Sequence, residues 1–181
     1  MIPTIKVNPK VVEVAVERFI FSHANSEHGI SHWLRVMGNG FAIAQKNDQV
    51  DPAVIFWFAL FHDSCRENEY TDPEHGLRAS QLLREHRSEI ALSDEQFEKL
   101  CVACETHSLP IIQEDPTVAA CHDADRLDLG RVSKTTRAEY LGLEESKDPD
   151  FLSACISNGY DWTINEPLFE WLGLTYLLEI D

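Results

Sequence analysis

A histidine and an aspartate, His62 and Asp63, stand side by side at the end of an uninterrupted apolar run over residues 54–61. The run predicts a buried helix, and an unpaired carboxylate buried at its end would be strongly destabilising. A divalent cation is the simplest compensation, because imidazole nitrogens and carboxylate oxygens both bind metals. His32 upstream and Asp125 downstream offer two further ligands. The sequence therefore predicts a metal site built from these four side chains.

Helix phase selects between two aspartates of the segment DADRLD. Asp123 and Asp125 are two residues apart, which places them about 200° apart around a helix axis. Asp125 shares a stripe with Cys121 and Leu129, one turn before and one turn after it, so the phase favours Asp125 as the inward residue. Two imidazoles and two carboxylates would suit Mn²⁺, Fe²⁺, Ni²⁺, Zn²⁺ or Mg²⁺.

The motifs around these residues resemble those of the HD-domain superfamily of metal-dependent phosphohydrolases. The resemblance covers about residues 28–130 and rests on the order and spacing of His32-x-x-Arg35-Val36, His62-Asp63 and Ala124-Asp125-Arg126-Leu127. HDSCREN at 62–68 followed by DPEHG at 72–76 is similar to small, single-domain bacterial members. The resemblance implies that His32, His62, Asp63 and Asp125 bind the metal. It also implies hydrolysis of a phosphoester or pyrophosphate bond, with a nucleotide or related small molecule as substrate.

Residues just after the doublet are candidates for the chemistry. Arg66 follows His62 by one helical turn, so its guanidinium could hold a substrate phosphate, the alternative being an ion pair with Glu67 or Glu69. Asp63 and Glu67 are candidates for relaying a proton. The alternative to an enzyme is a regulatory HD module that binds a metal or nucleotide without turning it over.

Two branches of the superfamily carry motifs that this chain lacks. Alarmone hydrolases have a Glu-Asp pair shortly after the doublet, where this chain has Arg66-Glu67, and the cyclic-dinucleotide branch has a GYP-type motif. The sequence therefore indicates neither substrate.

Three further histidines are candidates for supporting roles. His28 lies four residues before His32 on the same helical face, so it could support the metal ligands or line the pocket mouth. His75 and His107 lie at the start and end of predicted helices. Two-metal members of the superfamily bind a second ion through histidines at comparable places, so both could serve there or beside the first metal. The alternative is a helix-terminal histidine without a catalytic role.

A basic row, Arg131, Lys134 and Arg137, recurs every three residues just past Asp125. It could collect phosphates or form a lid, although a solvated face of a helix is the favoured interpretation.

Proline and Asx residues predict the elements that position these side chains. Five of the eight prolines follow Asn or Asp, a pattern typical of helix starts. No stretch alternates as a strand would. We expect an all-α, single-domain helical bundle of the HD type over residues 1–181, with a motif-bearing core at about 28–130 and C-terminal helices 131–181 packed on it. The predicted helices span 9–22, 27–46, 52–66, 72–89, 93–107, 115–130, 133–142, 149–157 and 166–179. The last helix is apolar on more than one face, so a core role is favoured but a homodimer seam stays open.

Composition excludes several partners. The chain has 181 residues with 15 Lys+Arg against 31 Asp+Glu, a formal charge of -16, which argues against nucleic acid polymers and anionic membranes. Five cysteines without a disulfide-type spacing indicate reduced thiols. No apolar run approaches the roughly 20 residues of a membrane span, and we see no signal peptide. We expect a cytoplasmic protein with a small phosphorylated substrate, whose metal ion supplies positive charge in an acidic chain.

Overall fold

The computed structural model describes residues 4–158 and 166–174 of the chain. Within these ranges every regular element is helical, which confirms the all-α prediction. The α-helices are α1 (Pro9–Arg18), α2 (Ile30–Lys46), α3 (Pro52–Phe61), α4 (His75–Glu85), α5 (Asp94–Thr106), α6 (Pro116–Arg126), α7 (Glu144–Lys147), α8 (Pro149–Asn158) and α9 (Glu166–Leu172). Short 3-10 turns lie at Arg87–Glu89, Leu129–Val132 and Ala138–Tyr140.

Asx residues before proline begin α1, α3, α6 and α8 as predicted. Asn8, Asp51 and Asp115 each accept a hydrogen bond from a backbone N–H in the first turn, and Asp148 accepts one from Phe151. Each cap satisfies a donor that the helix itself leaves unpaired and contributes about 1 kcal/mol.

Helix α3 forms the centre of the bundle. All eight residues of the apolar run 54–61 are buried, and α2, α5 and α6 pack around them. Gly40 on α2 lets that helix approach closely, because a Cβ at this position would lie 2.4 Å from Cγ2 of Ile55. None of the described helices is long and apolar enough to cross a membrane.

Helix α4 begins later than the sequence predicts. It starts at His75 instead of at the Asp72-Pro73 pair. The carboxylate of Asp72 does not cap this helix, because it accepts a hydrogen bond from the backbone N–H of Glu67 at 2.7 Å and pairs with Arg78. Helices α3 and α6 also end several residues before their predicted ends, at Phe61 and Arg126.

The predicted helix over 133–142 is wrong. Ser133 adopts a left-handed conformation (φ 56°), which ends the preceding 3-10 turn. The backbone that follows is held by Arg126 instead of by helical hydrogen bonds. The Arg126 carbonyl accepts a hydrogen bond from the hydroxyl of Thr136 at 2.6 Å, and its guanidinium donates to the carbonyl of Tyr140 at 2.7 Å.

The C-terminal segment packs against this bundle where it is described. Cys155 of α8 and Leu168 of α9 are buried, in agreement with a core role for the last helix. Trp171 is 38% exposed, and its ring lies 5.5 Å from that of Phe56. The remainder of the predicted helix 166–179, residues 175–179, lies outside the described residues.

Candidate metal centre

The four predicted ligands meet at one end of the central helices. Nε2 of His32, on α2, lies 3.1 Å from Nε2 of His62, in the turn that follows α3. The same His32 nitrogen lies 3.5 Å from Oδ2 of Asp63 and 3.3 Å from Oδ1 of Asp125, in the last turn of α6. His62 Nε2 lies 3.6 Å and 4.0 Å from these two oxygens. The donor atoms of His32, His62 and Asp63 therefore lie within 4.8 Å of one another, and Asp125 adjoins them through the two histidines.

Hydrogen bonds at the far side of each ring fix which nitrogen carries the proton. His62 Nδ1 lies 3.2 Å and 3.1 Å from the carbonyl oxygens of Phe58 and Ala59, which can only accept. His32 Nδ1 lies 2.7 Å from a carboxylate oxygen of Asp128. Both Nδ1 atoms donate, so in the neutral rings both Nε2 atoms present a lone pair. Two lone pairs and two carboxylates converge with no donor between them, which is the arrangement that a cation satisfies.

A second cluster of the same kind shares Asp63. Its Oδ1 atom lies 3.1 Å from Nε2 of His75 at the start of α4, and 3.7 Å from Nε2 of His107 at the end of α5. The two Nε2 atoms are 2.8 Å apart. Nδ1 of His107 donates to the carbonyl of Cys104 at 2.8 Å, and Nδ1 of His75 donates to the carbonyl of Asp72. Lone pairs therefore converge here as well, and each oxygen of Asp63 faces one cluster.

The pKa shifts of the site residues also indicate that positive charge is favoured at this place. Burial disfavours a charged His32, but hydrogen bonds to Asp125, Asp128 and Asp63 outweigh it and raise its pKa to about 9. Burial lowers the pKa of His62 to about 3. Burial also opposes the ionised form of Asp63, yet the surrounding histidines hold its pKa well below the usual range. A metal ion that binds here competes with a proton on His32.

Of the two candidate aspartates on α6, Asp125 is the one that reaches the cluster. Asp123 is fully buried and faces away. Its two carboxylate oxygens accept hydrogen bonds from the backbone N–H groups of Gly142 and Leu143, at 2.8 Å and 2.9 Å. Asp123 therefore anchors the segment after Tyr140, and Asp125, which the helix phase favours, is the aspartate that lies beside His32.

Sequence reasoning missed Asp128. Its buried carboxylate accepts hydrogen bonds from Nδ1 of His32 and from Nε of Arg35, both at 2.7 Å. It thereby orients the His32 ring and fixes its tautomer. The available signal is its position three residues after Asp125, which would place both carboxylates on one side of the predicted helix.

A pocket of about 610 Å³ opens over the two clusters and is called the main pocket below. It is lined by Asp63, His75, His107 and Asp125, together with Arg66, Arg131, Lys134 and His28. Arg66 is 7% exposed, its terminal nitrogen lies 3.6 Å from Oδ1 of Asp63, and its Nε has no hydrogen-bond partner among the described residues. A buried guanidinium with a free donor beside the pocket is suited to an anion.

His28 and Glu67 occupy different surroundings. His28 is half-buried at the pocket mouth, where its Nδ1 lies 3.0 Å from a carboxylate oxygen of Glu69. Glu67 does not reach the site, which differs from its predicted role as a proton relay. It is exposed, and its carboxylate lies 3.7 Å from Nε of Arg78 and 3.9 Å from a terminal nitrogen of Arg18. The chain turns outward after Arg66.

The basic row is not a helix face. Arg131 is mostly buried and donates to the carbonyls of Glu27 and Asp128 at 2.8 Å and 3.1 Å. Lys134 is exposed at the edge of the main pocket. Arg137 lies at the surface, where it pairs with Glu139 and its guanidinium stands over the Tyr140 ring, 5.1 Å from the centroid.

Comparisons with known proteins bear on the fold and on the family. A solved structure described as a predicted HD superfamily hydrolase from an uncultured Thermotogales bacterium superposes with a TM-score of 0.63. The match covers 90% of this chain and 91% of that chain at 23% identity, and it supports the fold. A stretch of 118 residues, 65% of this chain, is 25% identical to phosphatidylinositol-3-phosphatase SAC1 of Saccharomyces cerevisiae. That stretch spans 17% of the relative's length.

Residues 29–130 match the sequence model of the family described as HD domain. The matched segment is more than half of the chain, and it contains His32, His62, Asp63, Asp125 and the newly identified Asp128. The chain belongs to the HD-domain family.

Proposed function

We propose that the protein is a metal-dependent phosphohydrolase that cleaves a phosphoester or pyrophosphate bond of a small phosphorylated molecule. The observation that carries this proposal is the convergence of four imidazole Nε2 atoms on the two oxygens of Asp63. Acceptors gathered in this way are unfavourable unless metal cations or protons occupy the space between them.

The donor set fits two adjoining divalent cations. His32, His62, Asp125 and one oxygen of Asp63 would hold the first, and His75, His107 and the other oxygen of Asp63 would hold the second. Each set leaves room in the coordination shell of Mn²⁺, Fe²⁺, Ni²⁺, Zn²⁺ or Mg²⁺. When bound, such ions lower the pKa of water and neutralise phosphate oxygens.

Side chains of the main pocket provide the rest of the chemistry. Arg66 would hold a non-bridging phosphate oxygen as negative charge builds, because its guanidinium lines the main pocket beside Asp63. Lys134 at the rim adds a second positive charge. We also propose that His28, rather than Glu67, exchanges a proton with the departing group. Glu69 holds its Nδ1, which leaves Nε2 for the substrate.

The second candidate is a regulatory HD module that binds a metal or nucleotide without turnover. The outward position of Glu67 favours it, because the carboxylate predicted to relay protons is 59% exposed and engaged with arginines.

A phosphatase screen decides between the two. Metal-stripped protein is assayed on nucleoside phosphates, sugar phosphates and artificial aryl phosphates, with Mn²⁺, Mg²⁺ or Zn²⁺ added singly. We expect turnover that requires one of these ions and that falls by at least about 100-fold in His62→Ala. His86→Ala is the matched control, since the His86 ring lies at the surface, where its Nδ1 is 2.8 Å from a carboxylate oxygen of Glu89. A cation-dependent nucleotide affinity without turnover would favour the regulatory module.

A further inference from the structure

A second pocket, called the side pocket below, opens from the main pocket and has a different character. It has a volume of about 580 Å³ and shares His107, Ser108, Asp125, Leu129 and Lys134 with the main pocket. A molecule whose phosphate lies over the metal cluster therefore has a direct path into the side pocket.

Apolar side chains line the far wall of the side pocket. Leu109, Pro110, Leu129 and Tyr140 line it, and Leu129 lines the main pocket as well. Leu109 is 45% exposed and Tyr140 is 47% exposed, so the pocket keeps apolar surface open to a ligand. Of the charged side chains that line the side pocket, Arg137 is paired with Glu139 and stands over the Tyr140 ring.

One side chain assembles these walls. The guanidinium of Arg126 donates to the backbone carbonyls of Leu109 and Ile111, at 2.8 Å and 2.9 Å, and to that of Tyr140 at 2.7 Å. Arg126 directly follows Asp125 of the metal cluster. Arg126 therefore holds the segments of Leu109 and Tyr140 at a set distance, from the same end of α6 that carries Asp125. The side pocket is thus preorganised by the fold.

We propose that the side pocket binds the organic part of the substrate and selects phosphomonoesters whose organic part is apolar and planar. The proposal rests on the proposed phosphohydrolase function and adds the class of molecule that the phosphate is attached to. The main pocket offers Arg66 and the cation clusters to the phosphate, while Leu109, Pro110 and Tyr140 offer an apolar contact surface to a ring. A ring covered by these side chains gains both burial and aromatic packing.

The test compares two ligands that differ only at the organic end, 2-phenylethylphosphonate and 2-hydroxyethylphosphonate. Both are titrated calorimetrically into the metal-loaded protein, and the corresponding phosphates are assayed for turnover. We expect the phenyl ligand to bind about 10-fold more tightly, which corresponds to about 1.4 kcal/mol. Tyr140→Ser and Leu109→Ser should bring that ratio close to one and leave the affinity for the hydroxyethyl ligand within about twofold.

Ile112→Ser is the matched control, because Ile112 lies on the same segment as Leu109, is 56% exposed and does not line the side pocket. It should keep the wild-type ratio. Equal affinities for the two ligands in the wild type would overturn the proposal. So would a ratio that Tyr140→Ser and Leu109→Ser both leave at the wild-type value. If the wild type hydrolyses neither these phosphates nor any substrate of the phosphatase screen, the catalytic proposal fails, and the phosphonate titrations still decide the side pocket.

Discussion

Replacing Asp128 by asparagine should weaken metal binding although Asp128 is not itself a ligand. Its carboxylate is 1% exposed and accepts two hydrogen bonds of 2.7 Å, from Nδ1 of His32 and Nε of Arg35. An asparagine has one acceptor oxygen, so its amide N–H₂ must face one of these donors. If it faces His32, the ring changes tautomer and directs an N–H at the cation site. If it faces Arg35, a buried charged donor loses its partner.

Both arrangements should lower the affinity for the cation. Loss of an outer carboxylate behind a metal-ligating histidine typically lowers metal affinity 10- to 100-fold, which corresponds to about 1.4–2.8 kcal/mol. The assay is calorimetric titration of the metal-stripped chain with Mn²⁺ or Zn²⁺, run against a competing chelator when binding is tight. Thermal unfolding without metal measures how much stability the substitution alone removes.

Asp123→Asn is the matched control for Asp128→Asn. Asp123 is equally buried in the same segment, but its carboxylate accepts backbone N–H groups of Gly142 and Leu143. It should lose stability to a similar degree, and its metal affinity should stay within about threefold of the wild type. Wild-type metal affinity in Asp128→Asn, or an equal loss in both variants, would refute the orienting role of Asp128.

Three further predictions concern the phosphate, the pH and the packing. Arg66→Ala should lower kcat/KM about 10- to 100-fold, since a charge-assisted hydrogen bond to phosphate contributes about 1.5–3 kcal/mol, and steady-state kinetics measure it. Burial lowers the pKa of His122 to about 3, and its Nδ1 has no partner among the described residues while Nε2 bonds to the Ala103 carbonyl. The folded ring stays neutral, whereas the ring in the unfolded chain takes up a proton below about pH 6.5. The stability that the neutral buried ring contributes is therefore present above about pH 6.5 and is lost as the pH falls towards about 3. The difference in unfolding free energy between wild type and His122→Gln should therefore shrink by about 2–3 kcal/mol between pH 7 and pH 4.5 in urea titrations. Gly40→Ala should destabilise the fold by about 1–3 kcal/mol, since the new methyl overlaps Ile55, and should lower Tm.

Each of these predictions has a control or a contrary outcome. Arg84→Ala removes the same charge from an exposed pair with Glu98, and it should leave kcat/KM unchanged. If the difference in unfolding free energy between wild type and His122→Gln did not change with pH, the folded His122 ring would have to accept a proton, contrary to the prediction. A Gly40→Ala variant as stable as the wild type would mean that α2 and α3 separate without loss of packing.

Local signals in the sequence predicted most helix starts. The Asx-Pro pairs at Asn8, Asp51 and Asp115 form the expected caps, because the capping atoms lie within the same short segment as the N–H groups they accept. Asp72-Pro73 fails because its carboxylate has other partners. It accepts from the backbone N–H of Glu67 and pairs with Arg78 of α4 itself, and no pattern at Asp72 reveals this.

The basic row shows how spacing can mislead. Arg131, Lys134 and Arg137 recur at three-residue intervals, yet the backbone there follows the guanidinium of Arg126, which binds the carbonyl of Tyr140 fourteen residues away. A single side chain that satisfies distant carbonyls leaves no periodic signal in the sequence.

The sequence predicts which side chains meet at the site, because their types and their order along the chain are sufficient for this. His32, His62, Asp63 and Asp125 are brought together, and so are His75 and His107, whose role the sequence left open. Which oxygen of Asp63 faces which cluster, and which nitrogen of each ring donates, depends on carbonyls such as those of Phe58 and Cys104. Backbone acceptors of this kind exist in every sequence, so only the fold identifies them.

The most direct test of the account is the number of cations that the chain binds. Metal-stripped protein is titrated with Mn²⁺ or Zn²⁺, and the stoichiometry is measured by calorimetry and by elemental analysis after gel filtration. We predict two ions for the wild type, one for His107→Ala, and loss of high-affinity binding for Asp63→Ala, because both clusters share that carboxylate. A wild type that binds no stoichiometric metal, or an Asp63→Ala variant that binds as many ions as the wild type, would contradict the account.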